Sequence, residues 1–69
     1  MKVEGHHTAD ELQDLLPRER RASVAIRIRI VRQAALGGTA PQIALECGLS
    51  RRSVQEWVER YNTQGLPGL

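Results

Sequence analysis

The sequence predicts an all-α protein, in which a bundle of three helices follows one short extra helix. Through most of the chain, apolar residues recur at i, i+3, i+4 and i+7, the spacing of a single buried helix face. Hydrophobic residues make up 41% of the chain but include no Phe, one Trp and one Tyr. The core must therefore consist of Ile, Leu, Val and Ala, and 69 residues suffice for one small domain.

The short extra helix is predicted from about Ala9 to Leu16. Thr8 and Glu11 have the spacing of a capping box, in which each side chain binds the backbone N–H of the other residue. Pro17 ends the helix, because the residue before a proline is pushed away from helical angles. The apolar face would consist of Leu12, Leu15 and Leu16.

Residues 18–36 form the next predicted helix, although the run VAIRIRIV alternates as a β-strand does. A helix is favoured because no second segment could pair with a strand, and Gly37 and Gly38 would stop it. Arg27 lies within the apolar face and is expected to reach its edge or to pair with a carboxylate. The stripe at helical spacing is Val24, Ile28, Val31 and Ala35.

Two further helices are predicted at Ala40 to Cys47 and at Arg51 to Thr63, joined by a tight turn. Gly48 can adopt the positive φ that a sharp helix stop needs, Leu49 would fill the corner, and Ser50 is a good N-cap. Together these segments form a helix-turn-helix pattern.

The last helix would bury one stripe and expose the opposite side. The buried stripe is Val54, Trp57, Val58 and Tyr61. A helix about 10 to 12 Å wide fits the major groove of DNA, where Arg pairs with guanine, Gln with adenine and Glu with cytosine. The residues predicted to read bases are Arg51, Arg52, Ser53, Gln55 and Glu56.

Phosphate contacts are expected from Thr39, Gln42 and Arg60, since a helix N-terminus and an arginine both suit an anion. An ion-paired, solvated face is the alternative for Arg52, Glu56 and Arg60, which follow one another at i, i+4. Trp57 and Cys47 occupy core positions of the pattern, so structural roles are expected for both.

The net charge of +2 conceals an asymmetry along the chain. Residues 1–16 carry −3, residues 17–36 carry +5, and residues 37–69 are neutral. One Cys excludes an internal disulfide and fits a reducing cytoplasm, and no metal site or cofactor is expected. No apolar run is long enough to cross a membrane. Residues 1–7 show no periodicity and are expected to be disordered, with the domain at 8–66 and a tail at 67–69.

The segment from Arg27 to Leu69 resembles the N-terminal homeodomain-like helix-turn-helix of insertion-sequence transposases in the mariner-like superfamily. The matching features are the arginine-rich helix, Gln42-Ile43-Ala44, Cys47-Gly48-Leu49-Ser50, Val54 with Trp57, Tyr61, and the ending Gly65-Leu66-X-Gly68-Leu69. The resemblance implies a homeodomain-like bundle that binds the terminal inverted repeats of a transposable element.

In that family a metal-dependent catalytic domain follows the DNA-binding unit. No acidic triad can be assembled from these residues, so the resemblance implies a recognition domain or a remnant and not an enzyme. Double-stranded DNA is the expected partner. Two alternatives stay open: a protein-interaction or dimerisation module that pairs exposed leucines with a partner or a second copy, and a small transcription regulator.

Overall fold

A computed structural model describes residues 2–69, which form four α-helices linked by short connections. The helices are α1 (Ala9–Leu15), α2 (Ala22–Ala35), α3 (Ala40–Cys47) and α4 (Arg51–Gln64). Single turns of 3-10 helix follow α1 at Leu16–Arg18 and α4 at Leu66–Gly68. Residues 2–69 contain no strand, so the all-α prediction is confirmed and the alternating run lies within α2.

The capping box predicts the start of α1 correctly. The Glu11 N–H donates to Thr8 Oγ1 at 3.1 Å, and the Thr8 N–H donates to Glu11 Oε1 at 2.9 Å. The hydrogen bond from the Thr8 backbone N–H, helped by the nearby Thr8 hydroxyl, holds the pKa of the Glu11 carboxyl below its ordinary value. The helix ends at Leu15, one residue earlier than predicted, because Pro17 lies in the first turn of the 3-10 segment.

The start of α2 lies four residues later than the predicted position 18. Glu19 and Arg21 both have extended backbones, and the Arg21 N–H donates to Glu19 Oε1 at 2.9 Å. That hydrogen bond lowers the pKa of the Glu19 carboxyl. A side-chain turn therefore replaces the first predicted helical turn.

The core consists of two clusters that both draw on α2. The first joins α2, α3 and α4 and contains Ile30, Ala34, Ala40, Ile43, Ala44, Val54 and Val58. The second joins α1, α2 and α4 and contains Leu12, Val24, Ile28, Val31 and Tyr61. The prediction that Ala35 belongs to the buried stripe is wrong: Ala34 is buried there instead, because it faces the α3 residues of the first cluster.

The N-terminal segment follows α4 by an irregular path. The Glu4 N–H donates to Asn62 Oδ1 at 2.8 Å, and Asn62 Nδ2 donates to the Lys2 carbonyl oxygen at 2.9 Å. His7 Nδ1 lies 2.8 Å from the hydroxyl oxygen of Tyr61, a fully buried residue whose pKa is raised by burial. Met1, part of the segment expected to be disordered, lies outside the described residues.

The C-terminal segment packs on the second cluster through Leu66 and Leu69. Gly68 makes this fit possible, because a Cβ there would lie 2.9 Å from the Arg60 carbonyl oxygen. The boundaries 1–7, 8–66 and 67–69 stay predictions.

Candidate nucleic-acid interface

The turn between α3 and α4 sets the direction in which α4 leaves the core. Gly48 ends α3 with φ 69° and ψ 31°, a left-handed conformation that a Cβ disfavours. Ser50 then caps α4, because its hydroxyl accepts the Ser53 N–H at 3.1 Å. Leu49 is 38% exposed, so the prediction that it fills the corner is wrong.

The inner side of α4 is formed by Val54, Val58 and Tyr61, which are at most 2% exposed. Each packs in one of the two core clusters. Trp57 was predicted to be buried with them, but it lies at the border of the first cluster and is only half-buried. The buried stripe is therefore narrower than predicted, and Trp57 lies partly exposed at its border.

The outer side of α4 is solvent-exposed along its length. Its exposed residues include Arg51, Arg52, Gln55, Glu56, Glu59, Arg60 and Thr63. Glu56, Glu59, Arg60 and Thr63 line a shallow depression of about 370 Å³ on this side. Four of the five residues predicted to read bases thus lie on an exposed helix surface, together with Arg60.

Arg52 and Glu56 form an ion pair on this surface, with 3.2 Å between Arg52 Nε and Glu56 Oε1. Their side chains are 88% and 59% exposed, so such a pair contributes only about 0.3 to 0.5 kcal/mol. A ligand can therefore displace the carboxylate from Arg52 at little cost. The alternative of an ion-paired face also included a pair between Glu56 and Arg60, and no such pair is present among residues 2–69.

Ser53 differs from the other predicted base-reading residues because it is half-buried. Its hydroxyl oxygen accepts a hydrogen bond from the Ser50 hydroxyl at 3.1 Å. Its backbone N–H donates to the Ser50 hydroxyl oxygen, also at 3.1 Å. Its first role is therefore in the helix cap.

Thr39 and Gln42, the predicted phosphate ligands on α3, are both exposed and form the second capping box. The Thr39 N–H donates to Gln42 Oε1 at 3.0 Å, and the Gln42 N–H donates to Thr39 Oγ1 at 3.4 Å. The cap uses acceptor oxygens of both side chains. The Thr39 hydroxyl and the Gln42 amide therefore keep N–H or O–H donors for an anion.

Arg27, Trp57 and Arg60 form a cluster that the sequence reasoning missed. The guanidinium carbon of Arg27 lies 4.0 Å from the centre of the Trp57 ring, and that of Arg60 lies 5.1 Å from it. Arg27 Nη1 also donates to the Leu69 carbonyl oxygen at 2.9 Å. Arg27 therefore binds an aromatic ring and a main-chain oxygen of Leu69. Of the two expectations, the edge of the apolar face or a carboxylate partner, no ion pair with an Asp or Glu side chain is present among residues 2–69.

A second basic surface lies between α1, α2 and α3, with no contribution from α4. It is a groove of about 530 Å³ that includes Arg29, Arg32, Glu46 and Cys47. Burial raises the pKa of the Cys47 thiol, the nearby Glu46 carboxylate raises it further, and Arg29 opposes the shift. A thiol with a raised pKa is a poor nucleophile, in keeping with the structural role predicted for this residue.

No helix among residues 2–69 is long and apolar enough to cross a membrane. Within the same residues, no cluster of three or more His, Cys, Asp or Glu side chains is arranged to hold a metal ion.

The capped helix, the glycine turn and the exposed outer side of α4 together define a helix-turn-helix protein. Comparison with protein families agrees: the family model described as a homeodomain-like domain matches residues 21–69. The chain therefore belongs to the homeodomain-like domain family, and membership suggests DNA binding. A search of curated proteins found no match, and a search of solved structures found none. The matched residues contain α2, α3 and α4, whereas α1 precedes them.

Proposed function

We propose that this protein binds double-stranded DNA sequence-specifically by placing α4 in the major groove. The observation that carries the proposal is the two-sided character of α4. Its inner side is locked into the core by Val54, Val58 and Tyr61. Its outer side begins with two exposed arginines, Arg51 and Arg52, at the end of the helix that meets base edges in helix-turn-helix proteins.

Base reading is assigned to the exposed side chains in the first turns of α4. An arginine can donate two hydrogen bonds to guanine O6 and N7, Gln55 can pair with adenine, and Glu56 can accept from cytosine N4. The ion pair between Arg52 and Glu56 exchanges for DNA contacts on binding, because both side chains are highly exposed. The carboxylates repel phosphates, so they penalise DNA that offers no matching base.

Phosphate binding is assigned to Thr39, Gln42 and Arg60. The first two residues present donors at the N-terminus of α3, where the helix dipole also favours an anion. Arg60 lies on the outer side of α4 and supplies a charged donor. Such contacts position a protein on the duplex without reading its sequence.

The homeodomain-like unit is proposed to be the three-helix bundle α2–α4, with α1 as an addition that completes its core. The resemblance to mariner-like insertion-sequence transposases supports a role in recognising terminal inverted repeats, as a recognition domain or a remnant of one. No catalytic role is proposed for this polypeptide, and a cytoplasmic location is proposed from its single reduced cysteine.

Fluorescence anisotropy with a labelled duplex at several salt concentrations tests this proposal. The logarithm of the affinity should fall linearly with the logarithm of the salt concentration, by about 0.9 for each phosphate neutralised. Arg51→Gln should weaken binding, whereas Arg29→Gln, with the same charge change in the groove away from α4, should leave it nearly unchanged. Anisotropy that stays flat at low salt would contradict DNA binding.

Selection of a preferred duplex from a random pool tests the sequence specificity. An enriched motif that Gln55→Ala alters at one position would support base reading by α4. Recovery of unrelated sequences would reduce the proposal to nonspecific DNA binding.

A protein-interaction module is the second candidate, now for a different reason. Leu12 is fully buried, and Leu15 and Leu16 pack against the second core cluster, so these leucines are not free to bind a partner. Leu45 on α3 is instead 86% exposed. Sedimentation at increasing concentration tests this candidate: concentration-dependent association that Leu45→Ser abolishes would support it, and a monomer throughout would exclude self-association.

A further inference from the structure

We infer that Trp57 is a positioning residue for DNA binding: its ring holds the Arg60 guanidinium on the outer side of α4, and Arg27 of α2 holds the ring in place. This inference rests on the proposed function and adds two residues to it that nothing in the sequence pattern assigned to DNA. Arg60 would be the group that touches a phosphate. Trp57 and Arg27 would act through it.

Trp57 is suited to this role because it belongs to both the core and the surface. One part of its side chain packs against the first core cluster, and the residue as a whole is half-buried. The core contact limits the motion of the ring. The exposed part can then serve as a rigid surface for a cation.

Arg60 is held by the ring and by no carboxylate. Its guanidinium carbon lies 5.1 Å from the ring centre, and no ion pair involves it among residues 2–69. Glu56, the carboxylate one turn before it, binds Arg52 instead. A cation above an aromatic ring interacts through its face, which leaves the N–H groups at its edge free to bind phosphate oxygens.

Arg27 braces the ring from α2. Its guanidinium carbon lies 4.0 Å from the ring centre, and its Nη1 donates to the Leu69 carbonyl oxygen at 2.9 Å. The two contacts hold this arginine in place, and it is half-buried, unlike the exposed Arg60. Arg27 therefore serves the arrangement of the ring, while Arg60 keeps access to a ligand.

The functional consequence is an arginine that is ordered before DNA arrives. A long side chain that becomes immobile when it binds a ligand loses conformational freedom, which costs free energy. A side chain that is already ordered before binding avoids part of this cost. The expected gain in affinity is about twofold to tenfold, the fold-change that corresponds to ordering one such side chain.

A double-mutant cycle tests the inference. Arg60→Gln should lower the salt slope of DNA binding by about one, because one phosphate contact is lost. Trp57→Leu should weaken binding in the parent protein but have no further effect when combined with Arg60→Gln. Trp57→Phe, which keeps an aromatic face, should restore most of the affinity. Circular dichroism of each variant checks that the helices are intact.

A measurement on the parent protein covers the case in which Trp57→Leu fails to fold. In NMR spectra, the Nε–H resonance of Arg60 should move when duplex is added, while that of Arg27 stays nearly fixed. Equal weakening by Trp57→Leu with and without Arg60→Gln would overturn the inference, and so would an Arg60 resonance that DNA leaves unmoved. If the parent protein binds no duplex at all, the proposed DNA binding fails together with the inference. If it binds duplex but the cycle shows no coupling, only the role of Trp57 fails.

Discussion

Replacing Leu12 with alanine tests whether α1 belongs to the core or is a detachable addition. Leu12 is 0% exposed and lies in the second cluster with residues of α2 and α4. The homeodomain-like match begins at residue 21, so family membership alone gives α1 no role in stability. The packing gives the opposite expectation, because α1 contributes one of the largest fully buried side chains.

The expected loss follows from the complete burial of this side chain. Truncating a fully buried Leu to Ala costs about 2 to 5 kcal/mol, which includes the cavity that remains. A domain of this length has a total unfolding free energy of only about 3 to 10 kcal/mol. Because each kcal/mol shifts the melting temperature of a small domain by about 4 to 8 °C, the variant should melt at least about 8 °C lower.

Thermal and urea unfolding, followed both by circular dichroism and by Trp57 fluorescence, would measure this loss. Trp57 packs on the first cluster, whereas Leu12 lies in the second, so a shift in both signals means that the two clusters unfold together. Gln13→Ala is the matched control on the exposed side of α1 and should change stability by less than about 0.5 kcal/mol. An unchanged fluorescence midpoint with only a small loss of helix signal would refute the reasoning.

Three further predictions concern the DNA interface, the turn at Gly48 and the N-cap of α1. Glu56→Gln should strengthen binding to a random-sequence duplex by at least about twofold at low salt, because it removes a carboxylate that pairs with Arg52 and repels the phosphates. Glu46→Gln, with the same charge change in the groove away from α4, should have little effect, and equal effects in anisotropy titrations would contradict this assignment. Gly48→Ala should lower the unfolding free energy by about 1 to 2 kcal/mol because φ is 69°, whereas Gly48→Asn should cost less; equal costs in urea titrations would argue against backbone strain. Glu11 has a pKa below its ordinary value of 4.5 only when folded, so its stabilising effect is present above that pH and is lost as the pH falls through the folded-state pKa. Glu11→Gln, which removes the titrating carboxyl, should flatten this acid dependence in urea midpoints measured from about pH 6 to pH 3, and an unchanged dependence would contradict its assignment to Glu11.

The elements that local chemistry defines were predictable from the sequence. Thr8 and Thr39 both begin helices by capping boxes, Gly48 has the positive φ that its position required, and Ser50 caps α4. Each of these signals involves residues within four positions of one another, so the sequence pattern alone identifies it. The inner residues of α4 followed from helical spacing in the same way.

Features that depend on tertiary contacts were not predictable. Whether Ala34 or Ala35 is buried depends on where α3 packs, because both lie near the edge of one helical stripe. Arg27 and Trp57 are thirty residues apart, and only the packing of α2 on α4 brings them together. The one sign of this contact in the sequence was the positive charge of Arg27 in the middle of an apolar face. Such a charge needs a partner, but the sequence does not identify which residue that is.

The path of the N-terminal segment belongs to the same group. Its contacts with Asn62 and Tyr61 join residues more than fifty positions apart, and no periodic pattern accompanies them. Such contacts leave no signal in a sequence pattern, which reports only regular structure, and the disorder expected for residues 1–7 from the lack of periodicity stays a prediction.

Mapping the DNA contact by NMR tests the central claim most directly, namely that the outer side of α4 meets the duplex. With increasing amounts of duplex, the amide resonances of the first turns of α4 and of Thr39 and Gln42 should move most. Those of Gln13 on α1 and Arg29 on α2, which line the groove away from α4, should move least. The largest movements at that groove, with α4 unaffected, would contradict the account.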